Sequence, residues 1–214
     1  MTQCITQLTL GFLGQQPLVI DFDAPDVSSD GGAILLREVD DRIGVTRWFA
    51  GVLSDDRDSG RVLHDRLEQC RQRIYQIGLG YEDCNDSDRL RDDPMLKTVC
   101  GRLPKDEHGL SSQPTLSRFE NAMDWATIRR LIRSFEESYV ASLPADTSEV
   151  ILDIDATDDE THGAQQLSFF HGYYDHHMYH PLLLFDGESG QLITVKLRPG
   201  NTHASRGAAS MLAR

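Results

Sequence analysis

Apolar residues recur every three or four positions between about residues 33 and 142, which is the spacing of amphipathic helices. The polar run at 28–32 caps a predicted helix that continues to about Ala50, with Gly44 weakening its second half. The most regular pattern follows from Gly60 and predicts a helix that ends at Gly78 and Gly80. Its apolar positions are Leu63, Leu67, Cys70, Ile74 and Ile77.

Three more helices are predicted in the same region. Residues 85–87 can cap a short helix that stops before Pro94. Residues 111–114 then offer a cap with proline near the first helical position. Two adjacent helices follow, joined near Asp124, and the second continues through Tyr139. The segment from about 33 to 142 is therefore predicted to be all-helical.

Strand patterns occupy both ends of the chain instead. Residues 4–12 and 17–22 predict two short strands of a leading hairpin. Residues 150–157 predict a strand, and 181–186 with 191–197 predict a second hairpin closed by a Gly-Glu-Ser-Gly turn.

The change of pattern predicts two domains, a mostly helical region at 1–145 and a strand-rich domain at 146–214. A helix starts at about Ala204 and reaches Arg214 without a stop signal, so we expect the second domain to be incomplete. The predicted fold class is α/β, in the α+β arrangement.

A hydrophobic content of 39% and a charged content of 26% suit a globular protein. With no leader pattern and no run of about 18 apolar residues, we expect a cytoplasmic protein without a membrane span. The net charge of −13 opposes non-specific attraction to DNA, although residues 61–140 are nearly neutral, with 13 basic and 14 acidic side chains. Cys4, Cys70, Cys84 and Cys100 form no C-x-x-C pair, so buried thiols are predicted rather than a zinc site.

Two aspartates lie on the predicted strand at 150–157. Because side chains alternate along a strand, Asp153 and Asp155 point the same way, and three further carboxylates follow at 158–160. Carboxylates on a buried strand need compensation, and Mg²⁺ or Mn²⁺ supplies it. A strand end with a solvated acidic loop explains the same residues, so composition alone leaves both interpretations open.

Ten short strings are spread over nearly the whole chain, at residues 28–32, 35–40, 76–83, 85–86, 90–91, 113–121, 153–157, 172–174, 181–182 and 197–201. Together they resemble the transposase DDE domain group 1 family of bacterial insertion sequences. The string Asp-Ile-Asp-Ala-Thr at 153–157 is similar to the first catalytic motif of transposases with a ribonuclease H-like core.

The resemblance implies the first strands of a ribonuclease H-like core at 146–214, with Asp155 as the first catalytic aspartate and metal ligand and Asp153 as the alternate. It implies Mg²⁺ or Mn²⁺ as the cofactor of the full-length enzyme, and DNA as substrate, both transposon ends and target. The family's second and third catalytic carboxylates follow further along, so we expect this chain alone to be inactive.

Four arginines are candidate DNA contacts. Arg118 lies on the first of the two adjacent helices, and Arg129, Arg130 and Arg133 lie on the second, an arrangement compatible with a helix-turn-helix. An ordinary helical hairpin with solvated arginines is the alternative. Besides DNA, a second copy of this chain is a candidate partner, which would make the protein a homo-oligomer.

The remaining aromatic and histidine residues have plainer interpretations. Trp125, like Trp48, is predicted to be a core residue. The histidines at 171, 176, 177 and 180 are predicted to lie on a loop near the mouth of the active site rather than to bind zinc.

Three functions remain open. The first is the N-terminal part of a transposase that in full form cleaves transposon ends and joins them to target DNA. The second is a truncated product, or a decayed remnant, that only binds transposon-end DNA. The third is a small metal-dependent hydrolase that uses Asp153, Asp155 and the histidines.

Overall fold

The computed structural model describes residues 8–10, 18–20 and 28–213. The chain divides into two compact units, Met1–Thr127 and Ile128–Arg214. Helices and three small antiparallel sheets make the described part a mixed α/β protein, as predicted. None of the helices in these ranges is long and apolar enough to cross a bilayer.

The predicted leading hairpin is present, with shorter strands than expected. Strands β1 (Leu8–Leu10) and β2 (Leu18–Ile20) pair antiparallel, with Leu8 opposite Ile20. The other residues of the predicted strands at 4–12 and 17–22 lie outside the described ranges.

From residue 28 to the end of the first unit, the described chain forms helices and turns, as the periodicity predicted. The helices are α1 (Ala33–Ile43), α2 (Val45–Val52), α3 (Arg66–Gly78), α4 (Ser87–Leu90), α5 (Pro94–Cys100), α6 (Gln113–Asn121) and α7 (Trp125–Ser142), with 3-10 turns at Ser59–Arg61 and Cys84–Asp86. Helix α7 begins before the boundary between the units and ends after it.

The predicted helix through Ala50 is broken in two at Gly44. Gly44 adopts the left-handed conformation, with φ of 75°, and ends α1 where α2 begins. The buried carboxylate of Asp40 stabilises this break by accepting hydrogen bonds from the amide and hydroxyl of Thr46 and from the hydroxyl of Tyr75. One side chain therefore ties α1, α2 and α3 together.

Helix α3 starts at Arg66, later than predicted, because the side chain of Asp65 caps it by accepting from the amide of Glu68. Its buried face also differs from the predicted apolar stripe, since Leu63 and Ile77 are exposed. Buried glutamines take their place, and Gln72 holds both the amide and the carbonyl of Ser111. Paired amide groups can be buried at little cost, so this face is polar and still internal.

Two further sheets lie in the second unit. The first has the order β3-β7-β8, and both of its strand pairings are antiparallel. Its three strands confirm those predicted at 150–157, 181–186 and 191–197. The second has the order β4-β6-β5. The strands are β3 (Leu152–Ala156), β4 (Asp159–Glu160), β5 (Phe169–His171), β6 (His176–Tyr179), β7 (Leu182–Asp186) and β8 (Leu192–Lys196), followed by helix α8 (Ala208–Leu212).

One face of the β3-β7-β8 sheet is covered by helices. Leu182 and Leu184 of β7 and Ile193 of β8 pack with Tyr139 of α7 and Met211 of α8 into one buried cluster. The hydroxyl of Tyr139 also donates to the carboxylate of Asp186 at the end of β7, 2.9 Å away. This cluster fixes the sheet and so places the opposite face of β3.

The histidine-rich segment forms the β4-β6-β5 sheet, so the prediction of a loop was wrong. Met178 of β6 is fully buried, and Gly200 packs so closely on this sheet that a side chain there would collide with the carbonyl oxygen of Met178. Strands of two to four residues are too short to show an alternating pattern, and their backbone pairing stabilises them instead.

Candidate functional site

Asp153 and Asp155 lie on the same face of β3, as their spacing predicted. In the antiparallel register they stand opposite Phe185 and Leu183, whereas Ile154 between them packs into the core. Both aspartates are exposed, so the premise that they lie on a buried strand was wrong. Both side chains lie on the solvent-facing side of the sheet, so neither carboxylate pays a cost of desolvation that a metal ion would have to offset.

Asp155 alone of the two lines a cavity of the second unit that has a volume of about 600 Å³. One of its carboxylate oxygens accepts from the amide of Ala156 at 2.8 Å. The apolar side of the cavity is formed by Ile154, Leu182 and Ala208. Asp155 therefore stands at a place where a ligand has room beside the carboxylate.

Four rings form one wall of this cavity. His171 lies 4.9 Å from His180 and 5.1 Å from Tyr174 between ring centroids, and Tyr174 lies 5.0 Å from Tyr173. His180 is buried, and Tyr173 is 85% exposed. The wall thus passes from an internal histidine to a tyrosine that stands in solvent.

A buried arginine, Arg198, positions the loop at 203–206, which forms another part of the cavity lining. The Arg198 guanidinium donates to the carbonyl oxygens of Ala204 and Arg206, both at 2.8 Å, and to that of His180 at 2.7 Å. Within the described residues it forms no ion pair with a carboxylate. Burial lowers the pKa of this guanidinium from its ordinary value. The negative ends of the carbonyl dipoles stabilise its positive charge in place of a carboxylate.

The residues around Asp155 match only part of a divalent-metal site. Exposed carboxylates suit Mg²⁺ or Mn²⁺, and Asp155 has free acceptor capacity beside the cavity. Across the described ranges, however, no three histidine, cysteine, aspartate or glutamate side chains are grouped closely enough to hold a metal ion. Asp155 can therefore contribute one ligand, and the described residues do not complete the set.

The candidate DNA-binding arginines lie on the two predicted helices. Arg118 is exposed on α6, where its guanidinium donates to the hydroxyl of Thr115 at 3.5 Å. Arg129, Arg130 and Arg133 are exposed on the part of α7 that belongs to the second unit. Each is available to solvent on its own unit, and DNA contact remains a prediction.

Trp125 was wrongly predicted to be a core residue. It is 79% exposed at the first position of α7, two residues from the buried Thr127 and so on the other side of the helix. At the first position of a helix, no apolar residues precede Trp125 at helical spacing, so the sequence does not show which side of the helix it faces.

Some site residues were found from the sequence and others were missed. Of the four histidines predicted to lie near the mouth of the active site, His171 and His180 line the cavity together with Asp155, whereas His176 and His177 do not. His203 and Ser205 were missed, because neither belongs to a recognisable sequence motif. Their position in the cavity lining depends on the contacts of Arg198 with the loop that carries them. An arginine directly after a predicted strand was the one sequence signal near them.

Comparison with known protein families finds a match along almost the whole chain. The profile of the family described as transposase DDE domain group 1 matches residues 11–214. No curated protein and no solved structure matches the chain. The match extends through both units and includes Asp155 and the cavity residues, and the chain belongs to the transposase DDE domain group 1 family.

Proposed function

We propose that this chain acts in DNA transposition as the part of an insertion-sequence transposase that binds element ends and supplies the first catalytic carboxylate, Asp155. The observation that carries the proposal is the position of Asp155, exposed on β3 at the cavity, within a chain matched by the transposase family from residue 11 to 214. Asp153 faces the same way but does not line the cavity, which favours Asp155.

The same proposal extends to the architecture. The antiparallel order β3-β7-β8 followed by α8 supports the interpretation of 146–214 as the beginning of a ribonuclease H-like core. Residues 1–145 would then form the end-binding region, with Arg118, Arg129, Arg130 and Arg133 as its phosphate or base contacts.

The full reaction joins two DNA molecules. Hydrolysis at the element end frees a 3′ hydroxyl, and attack of that hydroxyl on a target phosphodiester forms the new bond and releases the target's own 3′ oxygen. Bound Mg²⁺ or Mn²⁺ would stabilise charge on the attacking and leaving oxygens. Asp155 is the residue of this chain that would hold such an ion, and its neighbours shape the space for the DNA.

Transposition of the element in cells tests the proposal. We expect Asp155→Asn in its gene to lower the transposition frequency more than about 100-fold, because losing even an outer partner of a metal ligand costs about 10- to 100-fold. Asp153→Asn is the matched control, on the same strand and face. Loss with Asp153→Asn and not with Asp155→Asn would move the assignment to Asp153.

Purified protein gives the complementary result. Because the described residues do not complete a metal site, we expect the 214-residue chain alone to leave element-end duplexes uncut in Mg²⁺. Magnesium-dependent nicking that disappears with Asp155→Ala would show a complete site in this chain. An element that the wild-type gene never moves would favour the alternative, a product that binds transposon ends without cutting.

A further inference from the structure

We propose that the cavity beside Asp155 binds a nucleobase that has left the base stack of DNA. The inference rests on the proposed function, in which Asp155 marks the position of the reacting phosphodiester. A base next to that phosphate would then occupy the space lined by Tyr173, Tyr174, His171 and His180.

The dimensions and the wall of the cavity suit a flat aromatic ligand. Its volume of about 600 Å³ lies within the range of small-molecule sites, roughly 300–1,000 Å³. Tyr173 is 85% exposed although it is a large ring at the rim of a cavity. An unstacked base would cover this ring, and stacking on an aromatic side chain is open to all four bases because each has a π face.

The polar groups of the cavity offer both donors and acceptors. The Nδ1 atom of His180 lies 2.7 Å from the carbonyl oxygen of Thr202, which places the proton on Nδ1 and leaves Nε2 as an acceptor. The Nδ1 atom of His203 accepts from the amide of Ser205, so a neutral His203 carries its proton on Nε2 and can donate. Together with the carboxylate of Asp155, these groups can read the edge of a base.

A base still in the duplex cannot reach such a cavity, because its faces are covered by its neighbours and its edge is paired. The ligand therefore has to be an unpaired base, either extruded from the duplex or already bulged.

The test compares two DNA duplexes that differ by one unpaired nucleotide. Binding of the 214-residue chain to fluorescein-labelled duplexes is followed by anisotropy at low ionic strength, in EDTA, with one duplex fully paired and the other carrying a single bulged adenosine. We expect the bulged duplex to bind about tenfold more tightly, as stacking of one base on a protein ring commonly gives.

Variants locate the preference. Tyr173→Ala and Tyr174→Ala are expected to abolish it, whereas Tyr173→Phe is expected to keep it because the ring remains. Phe170→Ala is the matched control, an exposed ring of the same small sheet that does not line the cavity. Folding of each variant is checked by circular dichroism, and the exposed position of Tyr173 makes its loss tolerable.

Equal affinity for both duplexes, no binding to either, or a preference that survives both tyrosine-to-alanine changes would overturn the proposal. Asp155→Asn separates it from the proposed function, since asparagine keeps an acceptor oxygen and EDTA removes the metal. A bulge preference that persists while Asp155→Asn leaves transposition intact would retain the base pocket and reject Asp155 as metal ligand. The opposite pair of results would retain Asp155 and reject the base pocket.

Discussion

Replacing Arg198 is the change that the second unit should tolerate least. Arg198 is 4% exposed, and its guanidinium makes three short hydrogen bonds, of 2.7, 2.8 and 2.8 Å, to the carbonyl oxygens of His180, Ala204 and Arg206. Two longer contacts reach the carbonyls of His203 and Pro181, at 3.3 and 3.5 Å. These bonds join the connection between β6 and β7, at His180 and Pro181, to the loop at 203–206 that lines the cavity.

The expected loss follows from those bonds. A hydrogen bond to a charged donor contributes about 1.5–3 kcal/mol, and bonds from one group are not additive, so three short ones suggest about 3–5 kcal/mol for Arg198→Ala. Arg198→Lys should recover less than half, because one ammonium group cannot reproduce the planar fork of the guanidinium. The same changes should weaken binding of the bulged duplex, since the loop at 203–206 is released.

The assay has to report on the second unit alone. Both tryptophans lie in the first unit, so amide hydrogen exchange of β7 and β8 with increasing urea is the appropriate measurement. Arg206→Ala is the matched control, because it removes an exposed arginine and keeps the backbone carbonyl that Arg198 binds. A loss below about 1 kcal/mol for Arg198→Ala would refute the reasoning, since even one lost bond of this kind should exceed it.

Three further predictions concern single residues. Burial raises the pKa of the Asp40 carboxyl, but hydrogen bonds from Thr46 and Tyr75 outweigh it and leave the pKa below its ordinary value. Its stabilisation is therefore complete above about pH 4 and is lost as pH falls through the folded-state pKa. Asp40→Asn should cost the first unit about 2–3 kcal/mol at neutral pH and flatten its acid dependence, as measured by tryptophan fluorescence in urea. Gly200→Ala should destabilise the second unit by more than about 2 kcal/mol in hydrogen exchange, because the added methyl group has no room, whereas Gly172→Ala, with nothing within 4 Å, should stay within about 0.5 kcal/mol. Trp125→Ala should change stability by less than about 0.5 kcal/mol in urea melts followed by circular dichroism, and a larger loss would mean that the ring is covered.

Local patterns predicted the elements whose burial follows their own period. Strands β3, β7 and β8 and helices α6 and α7 were found in this way, because each has an apolar face or run between turn residues. At Gly44 the sequence predicted only a weakened helix and not a break, because the contacts that favour the break are hydrogen bonds from Thr46 and Tyr75 to Asp40. Long-range hydrogen bonds of this kind leave no period in the sequence.

The candidate site shows the same limit. Asp155 was proposed from the resemblance of its sequence to a catalytic motif, and its alternation with Ile154 predicted the face of the strand on which it lies. The cavity could not be predicted, because His171, His180 and His203 come from separate parts of the chain and meet only when the β4-β6-β5 sheet and the Arg198 loop have formed. Tertiary contacts decide which polar residues become neighbours.

The most direct test of the central claim is paramagnetic broadening of amide signals by Mn²⁺ in the isotope-labelled 214-residue chain. We predict that trace Mn²⁺ broadens the signals of Asp155, Ala156 and His171 first, that Asp155→Asn removes this effect, and that Asp153→Asn leaves it in place. Broadening centred on the acidic residues at 158–160, or unchanged by Asp155→Asn, would contradict the assignment of Asp155 as the metal ligand of this transposase chain.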